Sequence, residues 1–305
     1  MVEKISLNGV LPVVQTLFSP DGSLDLSSME REFNWVLGQG VAGLTTGMVS
    51  EILRLTESER KQLTEVVTSV ARDRGAQSVI SCGAESTRTA IAHAVHAERN
   101  GATGIMAIPP TTVNLDDAAV FEYFSAIADA VGVSLVVQDA SDYVGRPLSI
   151  AVQIKLLDRF GDRVYFKPEA APIGPRLSQL RDASDGKARA FEGSGGAALV
   201  DSFRRGVVGT MPGAEVCWAI QRMWEALCAD DWDTAYRIGG PLNSLVSLQT
   251  SIDSYVAVEK YLLRKQDVIR SSQARGPLEF SLDTETEQEL DRLFDQLIKS
   301  ISFAV

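Results

Sequence analysis

The stretch "SVISCGAESTRTAIAHAVHAERNGATGIMAIPP" (Ser78 to Pro110) decides the fold. A short apolar run opens at Ser78. Apolar residues then recur at helical spacing from Ser86 to Arg99, Gly101 follows, and a second apolar run opens at Gly104. Two strands joined by one amphipathic helix form a βαβ unit, which makes the strands parallel. The same rhythm continues in both directions. Strands are expected to begin near Val10, Gly43, Ser78, Gly104, Ser134, Val164, Ala188 and Val207. Helices are expected over Thr56 to Arg74, Asp116 to Ala130 and Ile150 to Arg159, and Thr56 with Glu59 has the capping-box spacing. Gly40, Gly101, Gly132, Gly161 and Gly206 follow helices, where a left-handed cap belongs.

Eight such units in about 220 residues imply an α/β fold, a (β/α)8 TIM barrel. The rival is a doubly wound sheet, but no GxGxxG follows an early strand. After Glu215 the pattern is helical, through Trp232 to Leu248, Ile252 to Lys265 and Glu285 to Ile301, with a loop over Arg270 to Ser281. The expected organisation is a catalytic barrel over residues 1–228 and a C-terminal helical extension over 229–305.

The 305 residues are 45% hydrophobic and 23% charged, an ordinary globular composition. A net charge of −11 without a Lys/Arg run argues against nucleic acid as a partner. No apolar run approaches the roughly 20 residues of a membrane span, and nothing at the N-terminus reads as a signal peptide. Cys82, Cys217 and Cys228 lack metal-type spacing and fit free thiols in a reducing compartment. The expectation is a cytoplasmic protein with no membrane partner.

Barrel enzymes place their chemistry at the C-terminal ends of strands. In "RVYFKPEAAP" (Arg163 to Pro172), Lys167 ends the sixth strand and Pro168 stops the ladder. A walled-in lysine loses its charged form more readily, and a neutral amine forms Schiff bases. Glu169, two residues on, points to the same side and is placed to shuttle protons; the alternative is a Lys–Glu ion pair at the rim. "GMVSE" (Gly47 to Glu51) offers consecutive amides for a carboxylate, with Ser50 adding a hydroxyl, or else it is a capped loop. "FEGSGGA" (Phe191 to Ala197) lets a ligand approach the backbone or makes a tight turn, and without a Lys or Arg it argues against phosphate. In "VVQDASDYVG" (Val136 to Gly145), Gln138 ends an apolar strand, facing a substrate or satisfying nearby backbone. The two histidines, His93 and His96, fall on an outer helix and read as a solvated face.

With these residues in hand, the chain resembles the dihydrodipicolinate synthase/N-acetylneuraminate lyase family from Gly9 to about Leu297. The motifs are "VVQTLFSPDGSLD", "GMVSEILRLTESER" against the family's GTTGE segment, "GATGIMAIPP", "YFKPE", "RRGVVGTMPG" and "RGPLEFSLD". The resemblance implies a (β/α)8 barrel, a homo-tetramer, and a small-molecule 2-oxo acid bound as a covalent imine on Lys167 with no separate cofactor and no metal. With the reading of the residues above, the expected catalytic residues are Lys167, Glu169 and Gln138, and the expected substrate-binding residues are Met48, Val49, Ser50, Gly193, Gly195 and Met211. The chain departs from the family at several positions. The relay tyrosine becomes Gln138, a substrate arginine becomes Tyr143, the two threonines become Met48 and Val49, and the paired tyrosines become Thr111 and Thr112. Gln does not titrate, so a tyrosine relay is excluded. The expected activity is a Schiff-base lyase, a dehydratase or aldolase acting on a pyruvate-type or 2-keto-3-deoxy sugar acid. The alternatives are condensation of pyruvate with an aldehyde, and a non-catalytic oxo-acid-binding barrel.

Overall fold

A computed structural model describes residues 6–141 and 146–302. Tyr143 lies outside the described residues. The eight strands are β1 (Gly9–Val10), β2 (Gly43–Thr45), β3 (Gln77–Ser81), β4 (Gly104–Ala107), β5 (Ser134–Gln138), β6 (Val164–Lys167), β7 (Arg189–Glu192) and β8 (Gly209–Thr210). All pair in parallel, in the order β1-β8-β7-β6-β5-β4-β3-β2. The circle closes where Ala42 N–H donates to Val10 O at 2.9 Å and Val13 bridges Thr45 in parallel. No open edge is left along this seam, as a barrel requires.

The period of two along the strands sorts side chains into two compartments. Val79, Met106, Val136, Tyr165, Phe191 and Met211 form a small inner cluster. The alternate residues Ile80, Ile105, Leu135, Val137, Val164 and Phe166 join a larger core under the helices. Burying such side chains contributes roughly 1.5–3 kcal/mol each.

The barrel helices are α1 (Leu26–Gly38), α2 (Glu57–Asp73), α3 (Thr87–Arg99), α4 (Asp117–Ala130), α5 (Ile150–Phe160), α6 (Ile173–Ala183), α7 (Leu199–Arg204) and α8 (Cys217–Cys228). Thr56 and Glu59 form the expected capping box on α2. Gly40, Gly101, Gly161 and Gly206 have positive φ, but Gly132 does not, because Val131 in extended backbone ends α4. Three further helices follow: α9 (Trp232–Val246), α10 (Ile252–Lys265) and α11 (Thr284–Ser302). No helix among the described residues is long and apolar enough to cross a membrane.

The segment between α10 and α11 is tied to the barrel. Buried Lys260 on α10 donates to Glu51 Oε1 at 2.5 Å and to Gln273 O at 2.8 Å. Arg275 N–H donates to Glu51 Oε2 at 2.6 Å, and its guanidinium pairs with Glu59 at 2.7 Å.

Candidate active site

Strand parity builds the site. Tyr165 is inward on β6, so Lys167 two residues later is inward as well. Val136 is inward on β5, so Gln138 follows it, and Gln138 is the register partner of Lys167. Lys167 and Glu169 side chains are only 5% and 3% exposed. Lys167 Nζ donates to Glu169 Oε1 at 2.8 Å, and Gln138 Nε2 donates to Glu169 Oε2 at 2.9 Å. Both carboxylate oxygens are therefore held by neighbours from adjacent strands. Burial raises the Glu169 carboxyl above its ordinary value, opposed by Lys167 and then Gln138. A proton on this group is accordingly easier to keep than on a solvated glutamate.

Lys167, Glu169 and Gln138 line a cavity of about 50 Å³, room for a few water molecules. Gly193, Gly195 and Met211 line it as well. Gly193 is glycine for a steric reason. A Cβ there would stand 2.8 Å from Glu169 Cγ and 3.0 Å from Lys167 Cε. Gly47, Met48 and Val49 also line the cavity. Met48–Ser50 forms one 3-10 turn. Ser50 N–H closes it by donating to Gly47 O at 3.0 Å. The N–H groups of Met48 and Val49 begin the turn and donate to no acceptor among the described residues. They are free for an anion, as first-turn amides are.

Ser50 corrects the sequence expectation. Its hydroxyl faces inward, donating to Val14 O at 2.5 Å and accepting from Gly47 N–H at 3.1 Å. It is fully buried and does not line the cavity, so neither its hydroxyl nor its amide serves a ligand. Thr111 and Thr112 are also elsewhere. Their amides and hydroxyls all donate to Glu85, beside a separate surface cavity that Arg146 also lines. Burial raises the Glu85 carboxyl, but these four donors outweigh it and hold the group at about 2. His93 and His96 are half-buried rather than solvated. Burial pushes His93 down to about 4, and His96 Nε2 lies 3.3 Å from Glu65 across to α2. Neither lines the cavity.

Sequence reasoning missed three cavity residues from α10: Ile252, Tyr255 and Glu259. The signal was present in "VAVEKYLL" (Val256 to Leu263), where a charged pair interrupts an apolar helix. Among the described residues no group of His, Cys, Asp and Glu is arranged to hold a metal.

The model of the dihydrodipicolinate synthetase family matches residues 6–297. The L-2-keto-3-deoxyarabonate dehydratase of Azospirillum brasilense is 28% identical over 285 residues, covering 92% of this chain and 91% of the relative. The 4-hydroxy-tetrahydrodipicolinate synthase of Acidiphilium cryptum is 30% identical over 150 residues, covering 49% of this chain and 51% of the relative. The solved 4-hydroxy-tetrahydrodipicolinate synthase of Methylacidiphilum fumariolicum superposes with a TM-score of 0.88 at 19% identity, covering 97% of each chain.

Proposed function

The chain belongs to the dihydrodipicolinate synthetase family, and from that premise we propose that it is a Schiff-base lyase whose substrate is a 2-keto-3-deoxy sugar acid. The observation that carries the reading is the buried amine of Lys167, 2.8 Å from the Glu169 carboxylate at the mouth of a parallel barrel. Glu169 takes the ammonium proton, the free amine attacks the ketone, and Glu169 returns the proton to the carbinolamine hydroxyl, which leaves as water and restores the carboxylate. The substrate carboxylate rests on the amides of Met48 and Val49, which line the same cavity as the amine. The protonated imine is the electron sink, so the reaction needs no cofactor and no metal. It acidifies the neighbouring carbon, and Glu169 removes the proton there. Gln138 does not titrate; it keeps Glu169 aimed by holding its second oxygen. Met48, Val49 and Met211 give the cavity apolar walls, and Gly193 and Gly195 give it clearance.

Two observations favour a sugar acid over an aldehyde that carries a second carboxylate. Lys167 is the one Lys or Arg among the described cavity residues, so these residues offer a distal carboxylate no second cation. A relative matched over nine-tenths of both chains at 28% identity is named as a keto-deoxy sugar acid dehydratase, whereas a 4-hydroxy-tetrahydrodipicolinate synthase matched over 97% of both is 24% identical. We read residues 229–305 as an extension that serves the barrel, since α10 reaches the cavity. The family resemblance supports a homo-tetramer in the cytoplasm. The test is turnover by the purified protein. Both enantiomers of 2-keto-3-deoxypentonate are compared with pyruvate plus aspartate semialdehyde. Conversion of the sugar acid supports the reading; turnover with the semialdehyde pair alone overturns it.

A further inference from the structure

Three buried carboxylates gather behind the cavity wall, and the steps above use none of them. Glu32 comes from α1, Glu215 from the turn before α8, and Glu259 from α10; all are at most 2% exposed. Gln15 links two of them: its Nε2 donates to Glu259 Oε2, and its N–H donates to Glu32 Oε1 at 2.8 Å. Gln249 Nε2 reaches Glu215 Oε1 at 3.4 Å. Glu32 Oε2 and Glu215 Oε2 have no hydrogen-bond partner. Lys260, which acts on Glu32 and Glu259, is committed to Glu51. Three carboxylates with so few donors cannot all be ionised.

Glu259 differs from the other two because it lines the cavity with Lys167. With Oε2 fixed as an acceptor by Gln15, the proton of its acid form belongs on Oε1. That oxygen receives a hydrogen bond from no group among the described residues. It adjoins Gly213 in the same wall, where an added Cβ would stand 2.6 Å away. Burial, then Glu215, then Glu32 raise the Glu259 carboxyl well above its ordinary value, against Lys260 and Lys167.

We propose that Glu259 is the general acid that protonates the departing hydroxyl, so that the reaction of this site is loss of water rather than carbon–carbon cleavage. This rests on the imine reading above. Once Glu169 has taken the proton from C3, the enamine nitrogen lone pair drives its C2=C3 electrons into a new C3=C4 bond. The C4–O bond breaks, the oxygen takes the proton from Glu259 Oε1, and water leaves. The imine is again cationic, and Glu259 is left as a carboxylate that regains a proton from water as product departs. Cleavage would need a base at that same hydroxyl, which a protonated carboxyl is not.

The test compares wild type with Glu259→Gln, which keeps the shape but has no acid proton. Three readouts are taken: pyruvate imine trapped by borohydride, exchange of pyruvate methyl hydrogens in D2O, and dehydration of both enantiomers of 2-keto-3-deoxypentonate. The expected result is that trapping and exchange persist in the variant, which also shows that it folds. Its kcat for dehydration falls roughly 100-fold or more, with KM within a few-fold. Dehydration by the variant at the wild-type rate overturns the role of Glu259. A wild type that forms the imine but eliminates water from neither enantiomer overturns the assignment to dehydration. A wild type that forms no imine overturns the reading beneath it.

Discussion

Gly193→Ala separates the chemistry of the site from the stability of the fold. Gly193 does not have positive φ, so its backbone accepts a side chain. The new methyl would stand 2.8 Å from Glu169 Cγ and 3.0 Å from Lys167 Cε. Carbon atoms settle at about 3.5 Å or beyond, so one of these side chains must retreat by roughly 0.7 Å. A displacement near 1 Å at reacting groups costs on the order of 100-fold in rate. The ion pair at 2.8 Å is what transfers the proton that frees the amine. We therefore expect imine formation with pyruvate, followed by quenched borohydride reduction, to slow by about 10- to 100-fold. The melting temperature should move little, within about 2 °C, because flexible side chains rather than packed backbone absorb the clash. Unchanged imine kinetics with a folded protein would refute the packing argument. A large loss of melting temperature would show that the loop, not the catalytic pair, bears the strain.

Two further outcomes follow from the buried charges. Burial pushes Glu32 from 4.5 up to about 8, so between those values the native state holds a proton that the unfolded chain has lost. Stability attributable to this group then falls as pH rises through that window. Glu32→Gln should gain on the wild type by about 3 kcal/mol between pH 5 and pH 8 in urea unfolding; parallel pH dependence of the two proteins would contradict this. Lys260→Met leaves the buried Glu51 carboxylate with only the Arg275 amide among the donors described above. It should cost about 3–5 kcal/mol of stability and raise KM for the 2-oxo acid, since Glu51 follows the Met48–Ser50 turn directly; a KM equal to wild type would disconnect the clamp from binding.

Much of this was legible in the sequence, for physical reasons. Strand ends are marked by breakers such as Pro168, and parity then fixes which residues face inward. Gln138 and Lys167 were legible as strand-end residues in this way, and both line the cavity. Ser50 was misplaced because a 3-10 turn rotates each residue onto a new face, which strand parity does not describe. Thr111 and Thr112, which stand where the family has paired tyrosines, are held by Glu85, 26 and 27 residues earlier, a contact that local sequence does not announce. Glu259 was missed because its helix arrives from far along the chain. Periodicity places it on a buried face and is silent on what that face covers.

The proposed function stands or falls on whether Lys167 carries the substrate as an imine. Borohydride reduction in the presence of pyruvate, followed by peptide mass spectrometry on wild type and Lys167→Ala, tests it most directly. The account predicts a reduced pyruvyl adduct on Lys167 in the wild type and none in the variant. An adduct of equal yield in Lys167→Ala, or one carried by Lys260 in the wild type, would contradict it.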